Sequence, residues 1–269
     1  MRRISLAHLT VMDADPVGLV DAGAAGGFDT VGLRIVPPLP TDSIVPVVGD
    51  ILMLRRIKAR LAETGLGILD VEAIWLMPET NIAALLPALD LATELGARYV
   101  LTVGNDPDWS RMAQNLGLLA EACADRKLRL MLEFIPYSQV TTLAAAFRLL
   151  QDVSPKDTGL LVDAIHLSRS GGAPSDLANY DPALFSYFHL CDVPSTPPLN
   201  GLRTEAREDR LYPGEGGLWL RDFVAAFPPH TPAAIEAPSR RHAALAPADR
   251  ARLAREACRR LFQTTDAGR

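Results

Sequence analysis

Four side chains of metal-ligand type stand at or near the ends of four successive β-prone runs. Glu133 closes Leu-Arg-Leu-Met-Leu-Glu, Asp163 closes Gly-Leu-Leu-Val-Asp, His189 lies within Tyr-Phe-His-Leu-Cys, and Glu236 closes Ala-Ala-Ile-Glu. Three carboxylates brought into one dry pocket repel one another and lose hydration, so they require protons, arginines or a divalent cation among them. Together with an imidazole they suit manganese foremost, with magnesium, cobalt or zinc as alternatives, and they leave positions open for substrate oxygens. No cysteine clusters with the histidines, which argues against a softer metal site. Each residue also has a structural reading. A strand-end glutamate often forms a salt bridge, Asp163 can cap a helix, and a histidine in an aromatic strand is commonly satisfied by a backbone carbonyl. Their coincidence favours a site.

Side chains so far apart in sequence meet only if the fold gathers strand ends. Short apolar runs alternate with longer segments of helical period, the pattern of a parallel sheet with crossover helices. Strands are predicted at 3–9, 30–35, 67–74, 98–103, 128–134, 158–163, 187–191 and 233–236. Helices are predicted at 16–26, 47–64, 82–95, 109–126, 141–152, 176–180, 218–226 and 247–262. Eight such units in 269 residues fit a single-domain (β/α)8 TIM barrel spanning residues 1–269, whose strand C-termini converge at one face. The punctuation agrees: Asp15-Pro16 reads as an N-cap with proline at the first helical position, and Gly26-Gly27, Gly65 and Gly96 fall where helices stop. The sixth helix is short, because Ser170-Gly171-Gly172-Ala173-Pro174 and Asn179-Tyr180-Asp181-Pro182 flank it, and an irregular crossover is expected there. The longest break, 192–217, holds Pro194, Pro197, Pro198 and Pro213 with Arg203, Arg207 and Arg210, and is a candidate lid.

Composition narrows the function. Apolar residues make up 48% and charged residues 22%, enough for one large core, and no segment has the low hydrophobicity of a disordered arm. A net charge of −5 provides no field to collect nucleic acid. The start carries Arg2 and Arg3 but then His8, Asp13 and Asp15, so no apolar signal core forms. No run is long and apolar enough for a membrane span. Cys123, Cys191 and Cys258 are odd in number and scattered, as expected of reduced thiols in a cytoplasmic protein. No glycine-rich phosphate cradle is present, which argues against nucleotide cofactors.

Other residues are candidates to line the pocket. His8 ends the first strand and can face the pocket or serve the core. Trp109 can cover a sugar face or pack its helix on the barrel, while Trp75 and Trp219 read as core. Arg34, Arg169, Arg203, Arg207 and Arg210 can bind a phosphate or carboxylate, although a solvated loop accounts for most of them. Glu72, Asp192 and Glu215 can contribute to the pocket or orient ligands. His230 and His242 read as surface.

The order of short motifs is similar to that of the sugar phosphate isomerase/epimerase family of xylose-isomerase-like TIM barrels. They are Val-Gly-Leu-Arg at Arg34, Leu-Asp-Val-Glu ending at Glu72, Leu-Glu-Phe-Ile-Pro around Glu133, Asp163-Ala-Ile-His166, His189-Leu-Cys-Asp192, Pro213-Gly-Glu-Gly216 and Ile235-Glu236. The resemblance implies that Glu133, Asp163, His189 and Glu236 hold the metal, that Glu133 and Glu236 also act as acid and base, and that His166 touches substrate. The well-known ketose epimerases carry an arginine soon after the metal histidine, whereas this chain reads Asp192-Val-Pro-Ser195 there. The implied reaction is proton transfer on a small polyhydroxy carbonyl compound, an isomerisation or epimerisation through an enediolate, in a protein expected to form homo-oligomers. The closest alternative is a dehydratase of the 3-dehydroshikimate or inosose kind. A repair endonuclease of the endonuclease IV-like group would need further histidines and a basic surface, and a non-catalytic barrel would bind no metal.

Overall fold

The computed structural model describes residues 2–39, 41–153, 157–199 and 201–266, so Met1 and residues 267–269 of the predicted domain lie outside the described residues. Eight parallel strands close into a barrel in sequence order: β1 (Ile4–Ala7), β2 (Thr30–Arg34), β3 (Gly67–Leu76), β4 (Tyr99–Gly104), β5 (Arg129–Glu133), β6 (Thr158–Asp163), β7 (Phe188–Leu190) and β8 (Ala233–Ile235). Around it run α1 (Pro16–Gly26), α2 (Ile51–Thr64), α3 (Ile82–Glu94), α4 (Trp109–Ala124), α5 (Leu143–Val153), α6 (Ala164–Arg169), α7 (Leu202–Glu208), α8 (Leu220–Ala225) and α9 (Pro247–Asp266). No helix among the described residues is long and apolar enough to cross a membrane.

Local chemistry sets the helix ends. Asp15 accepts a hydrogen bond from the Gly18 amide at 2.7 Å, and Gly27, with φ +70°, closes α1 in the left-handed conformation that glycine tolerates. Asp50 and Asp108 cap α2 and α4 in the same way.

Three predicted elements are corrected. The first strand stops at Ala7, and His8 opens a 3-10 turn instead. The sixth crossover is irregular, as expected, but holds no α-helix at 176–180: α6 follows β6 directly and two 3-10 turns, Pro174–Asn179 and Pro182–Leu184, complete it. The prolines and glycines there interrupt the amide ladder that a longer helix needs. The 192–217 segment is not bare loop, because α7 lies within it.

Strand periodicity builds the interior in layers. Met131, Leu161, Tyr187 and Ala234 belong to a small apolar cluster from successive strands, stacked with Tyr99 and Leu101. Two residues further along each chain segment lie Glu133, Asp163, His189 and Glu236. A period of two returns these side chains to the same face one layer higher, so the apolar layer is the floor on which the polar one stands. Register completes the arrangement, with Asp163 paired beside His189 and Glu133 beside Leu161.

Two buried acids sit in the interior on β3. Asp70 and Glu72 are each 1% exposed, and the Tyr187 hydroxyl donates to Asp70 Oδ2 at 2.9 Å. Gly32 on β2 makes room for them: a Cβ there would lie 2.6 Å from Asp70 Oδ1 and 2.9 Å from Glu72 Oε1. Burial, reinforced by the charge of Glu72, pushes the Asp70 carboxyl up to about 7.

The loop after β7 is drawn together by one carboxylate. Asp192 accepts from the amides of Val193, Gly214, Gly216 and Leu218 at 2.9–3.0 Å, and its backbone pairs with Leu211. Gly216 is obligatory for this approach, since a Cβ there would meet Asp192 Oδ1 at 2.5 Å.

Two stability measurements test these assignments. The folded state holds the Asp70 proton more tightly than the unfolded chain, so Asp70 costs stability as pH rises from the ordinary aspartate range through about 7. Asp70→Asn keeps an acceptor for Tyr187 and should stabilise the protein more at pH 8.5 than at pH 5, by at least ~1 kcal/mol in urea denaturation, given ~1.4 kcal/mol per pKa unit. Equal gains at both pH values would contradict the assignment. Asp192→Ala removes four charge-assisted acceptor contacts and should cost about 3 kcal/mol, with faster proteolytic cleavage within 194–209. Unchanged cleavage would show that the loop does not depend on this carboxylate.

Candidate metal centre

At the C-terminal mouth of the barrel the polar layer closes around His189. Its Nδ1 lies 3.4 Å from Glu236 Oε2, 3.8 Å from Glu133 Oε1 and 3.9 Å from Asp163 Oδ2. All four side chains are buried. Within each of two overlapping triads, Glu133 with Asp163 and His166, and Asp163 with His189 and Glu236, the ligand atoms lie within 4.8 Å of one another. Ligands bound ~2.1 Å from a common ion stand at most about 4.2 Å apart, so small side-chain adjustments suffice.

The donors also fit a cation by what they lack. Neither ring nitrogen of His189 has a hydrogen-bond partner among the described residues, and Glu133 Oε1 has none, although all three atoms are buried. Buried polar atoms rarely go unpaired. An imidazole ringed by three buried acids, one of them with an unpartnered oxygen, is a donor set that a divalent ion would use.

Electrostatics record the same crowding. Burial opposes a charge on His189, but Glu236, Glu133 and Asp163 outweigh it and raise the imidazole to about 10. Burial alone would raise Glu236; Arg210 and His189 overcome that and hold its carboxyl well below the usual range. Glu133, with burial acting first and Glu236 adding repulsion, is pushed well up.

Arg210 is the residue that sequence reasoning missed. Read from the sequence as a phosphate or carboxylate binder or a solvated loop residue, it is 2% exposed and spans two of the candidate ligands: Nη1 donates to Asp163 Oδ2 at 2.6 Å, and Nη2 lies 2.9 Å from Glu236 Oε2. Nη1 also donates to the Glu236 carbonyl at 2.8 Å and Nε to the Ala206 carbonyl at 2.6 Å. The only sequence signal for Arg210 is the Pro213-Gly-Glu-Gly216 turn, whose amides tie to Asp192. A second buried pair, Arg169 with Glu205 at 2.7 Å, fixes α7 against α6.

The remaining candidates divide. Arg34, Glu133, His166, Arg207 and Glu236 line one cavity with Arg210, Trp75 and Tyr137. Trp75, read as core, is therefore a wall of the cavity, as is Tyr137. Burial lowers His166 to about 4, so it faces the cavity as a neutral ring against the edge of Tyr137. Arg207 is tied to Asp42 at 2.9 Å. Glu72 lies beneath, 3.5 Å from Arg34, and accepts from the His8 amide. His8 is not in the cavity wall: its Nε2 meets the Ala14 carbonyl and its Nδ1 accepts from the Arg34 amide, so it braces the end of β2. Trp109 is also corrected. Its indole donates to Asp152 and its ring packs under Arg148, joining α4 to α5 outside the barrel. Glu215 is turned toward the Tyr212 amide and His242 rather than the cavity, because its turn is folded onto Asp192. Asp163 serves both of its readings at once, since its Oδ1 caps α6 through the Ile165 amide while Oδ2 faces the centre.

Comparison with known proteins places this geometry. The chain is 30% identical over 109 residues to an inosose isomerase of Halalkalibacterium halodurans, a match covering 40% of this chain and 37% of that protein. The solved IolI protein with a bound zinc atom superposes with a TM-score of 0.75 at 18% identity, covering 98% of this chain and 99% of the other. A probable 3-DHS dehydratase of Bacillus anthracis superposes with a TM-score of 0.75 at 13% identity, covering 96% and 99%. Both superpositions are likenesses of fold. The family described as xylose isomerase-like TIM barrel matches residues 20–263, and the chain belongs to that family.

Proposed function

We propose that this chain is a divalent-metal-dependent isomerase or epimerase of a sugar or sugar-like hydroxyketone, with manganese as its ion and Glu133, Asp163, His189 and Glu236 as the ligands. The observation that carries this reading is the convergence of three buried acids on an imidazole with both ring nitrogens unpartnered. An ion held there supplies Lewis acidity that polarises the substrate carbonyl and stabilises an enediolate.

The chain's own residues do the rest. Glu133 and Glu236 come from β5 and the end of β8 and both line the cavity, so they can address a substrate carbon from different sides. One carboxylate removes the proton beside the carbonyl and the other returns it, to the opposite face for epimerisation or to the neighbouring carbon for isomerisation. Arg210 holds Glu236 and Asp163 in place, a support that ligand carboxylates need to keep their orientation. Neutral His166 can donate or accept one hydrogen bond to a substrate hydroxyl without adding charge. Trp75, Leu101, Ile135 and Tyr137 wall the cavity with apolar surface that keeps water from the reacting carbon.

A second reading is dehydration. A hydroxyl on the carbon next to the enediolate would leave as water, and Arg34 in the cavity wall, suited to an acidic substrate, favours this reading. In deuterated water isomerisation or epimerisation places deuterium in a product of unchanged formula, whereas dehydration yields a product lighter by one water.

The test starts from metal content. Protein reconstituted with manganese should carry one ion per chain by mass spectrometry, and Glu236→Gln should lose it. Intact binding in that variant would remove Glu236 from the ligand set, and a wild-type chain that takes up no ion would end the reading. Glu133→Gln should slow solvent exchange into a ketose or inosose substrate by about 10²-fold or more, the usual contribution of a positioned acid or base.

A further inference from the structure

Arg34 occupies an unusual position for a guanidinium. It ends β2 inside the barrel mouth, is 7% exposed, and lines the cavity alongside Glu133, His166 and Glu236. Its Nε is buried without a hydrogen-bond partner among the described residues. Its ion pair with Glu72 spans 3.5 Å, and the Glu72 oxygen concerned is itself without a hydrogen-bond partner. A buried charge left this incompletely paired is costly unless something else completes it. Its backbone is nonetheless held firmly, its N–H donating a hydrogen bond to His8 Nδ1, so the guanidinium is presented from a fixed point.

We propose that Arg34 is the anchor for a carboxylate on the substrate, so that the cavity takes a hydroxylated ring acid rather than a neutral sugar. This deepens the proposed function and rests on its reading of the metal centre. Nε and one Nη of a guanidinium lie side by side and match the two oxygens of a carboxylate in a bidentate pair. The cavity's other guanidinia are engaged, Arg207 by Asp42 and Arg210 by Asp163 and Glu236. One incompletely paired guanidinium balances a singly charged group, whereas a doubly charged phosphate would call for more donors than remain. Trp75, Leu101, Ile135 and Tyr137 provide flat and aliphatic walls against which a ring can lie.

The test compares one ring with and without its charge. Shikimate, which has no ketone to react, and its methyl ester are titrated calorimetrically into manganese-loaded wild type and Arg34→Gln, with fructose 6-phosphate as the phosphate probe. Wild type should bind shikimate at least about tenfold more tightly than the ester, the worth of one charge-assisted pair. In Arg34→Gln the two affinities should fall within twofold of each other while manganese content stays unchanged. If that variant does not fold, Arg34→Lys keeps the charge but loses the fork, and the preference should fall at least threefold. Equal binding of acid and ester by wild type, a preference that survives in the variant, or no binding of either with manganese retained would each overturn the carboxylate anchor. Arg34-dependent binding of fructose 6-phosphate instead would reassign the subsite to a phosphate and overturn it likewise. Absence of manganese from wild type would strike the metal centre alone, because the acid–ester comparison on the metal-free protein still reads Arg34.

Discussion

Buried acid is the constraint around which this barrel is arranged. Asp70, Glu72, Glu133, Asp163 and Glu236 all lie inside it, each at most 5% exposed. Carboxylates at such depth persist only where protons, donors or cations offset their desolvation and mutual repulsion. The two lower acids are met by the Tyr187 hydroxyl, the His8 amide and Arg34. The three upper ones face His189, Arg210 engages Asp163 and Glu236, and Glu133 Oε1 is left without a hydrogen-bond partner among the described residues. Both layers keep buried atoms without a hydrogen-bond partner, Asp70 Oδ1 and Glu72 Oε2 below and Glu133 Oε1 with both His189 ring nitrogens above, and only the upper set groups an imidazole with three acids as a cation site would.

That constraint reaches into segments far from the mouth. Arg210 belongs to the ligand layer only because the 192–217 segment folds back, and it folds back because Asp192 gathers the amides of Gly214, Gly216 and Leu218. The Arg169–Glu205 pair fixes α7 from its other side. The Asp192 carboxylate thus controls where a guanidinium meets Asp163 and Glu236. Loops at the C-terminal face of such barrels vary freely in length, and here the variation is absorbed by a tied loop rather than a loose one.

Much of this arrangement is legible in the amino-acid sequence. A period of two along strands, applied to Glu133, Asp163, His189 and Glu236, is enough to put them on one face of one closed sheet. The capping residue Asp15 and the stop at Gly27 are readable because those signals are local, whereas the second helix, predicted from 47, starts at Ile51 behind the Asp50 cap. What is not readable depends on contacts distant in sequence. Arg210 looks like any loop arginine, and nothing nearby reveals that it will meet Asp163. Trp109 sits just after a strand end, yet its side chain leaves the barrel because α4 turns its first residue toward α5. His8 fails as a pocket residue for a similar reason: the backbone turns at Ala7, and the ring is used to hold β2.

The two cavity arginines show how satisfaction, rather than residue type, separates a structural role from a binding one. Arg210 has Nε on a carbonyl, Nη1 on a carboxylate and a carbonyl, and Nη2 beside a second carboxylate. With its donors engaged within the protein, it can shape the site but has little left for a ligand. Arg34 is buried almost as deeply, yet its Nε meets no partner and its counter-ion stands at 3.5 Å. Leaving a guanidinium unsatisfied costs folding stability, and that cost is offset only when a ligand arrives with matching charge. A neutral polyol would recover part of it through hydroxyl contacts, whereas a carboxylate recovers both the hydrogen bonds and the charge. On the proposed reading, discrimination between substrates therefore resides in the protein's own unmet bonding at Arg34.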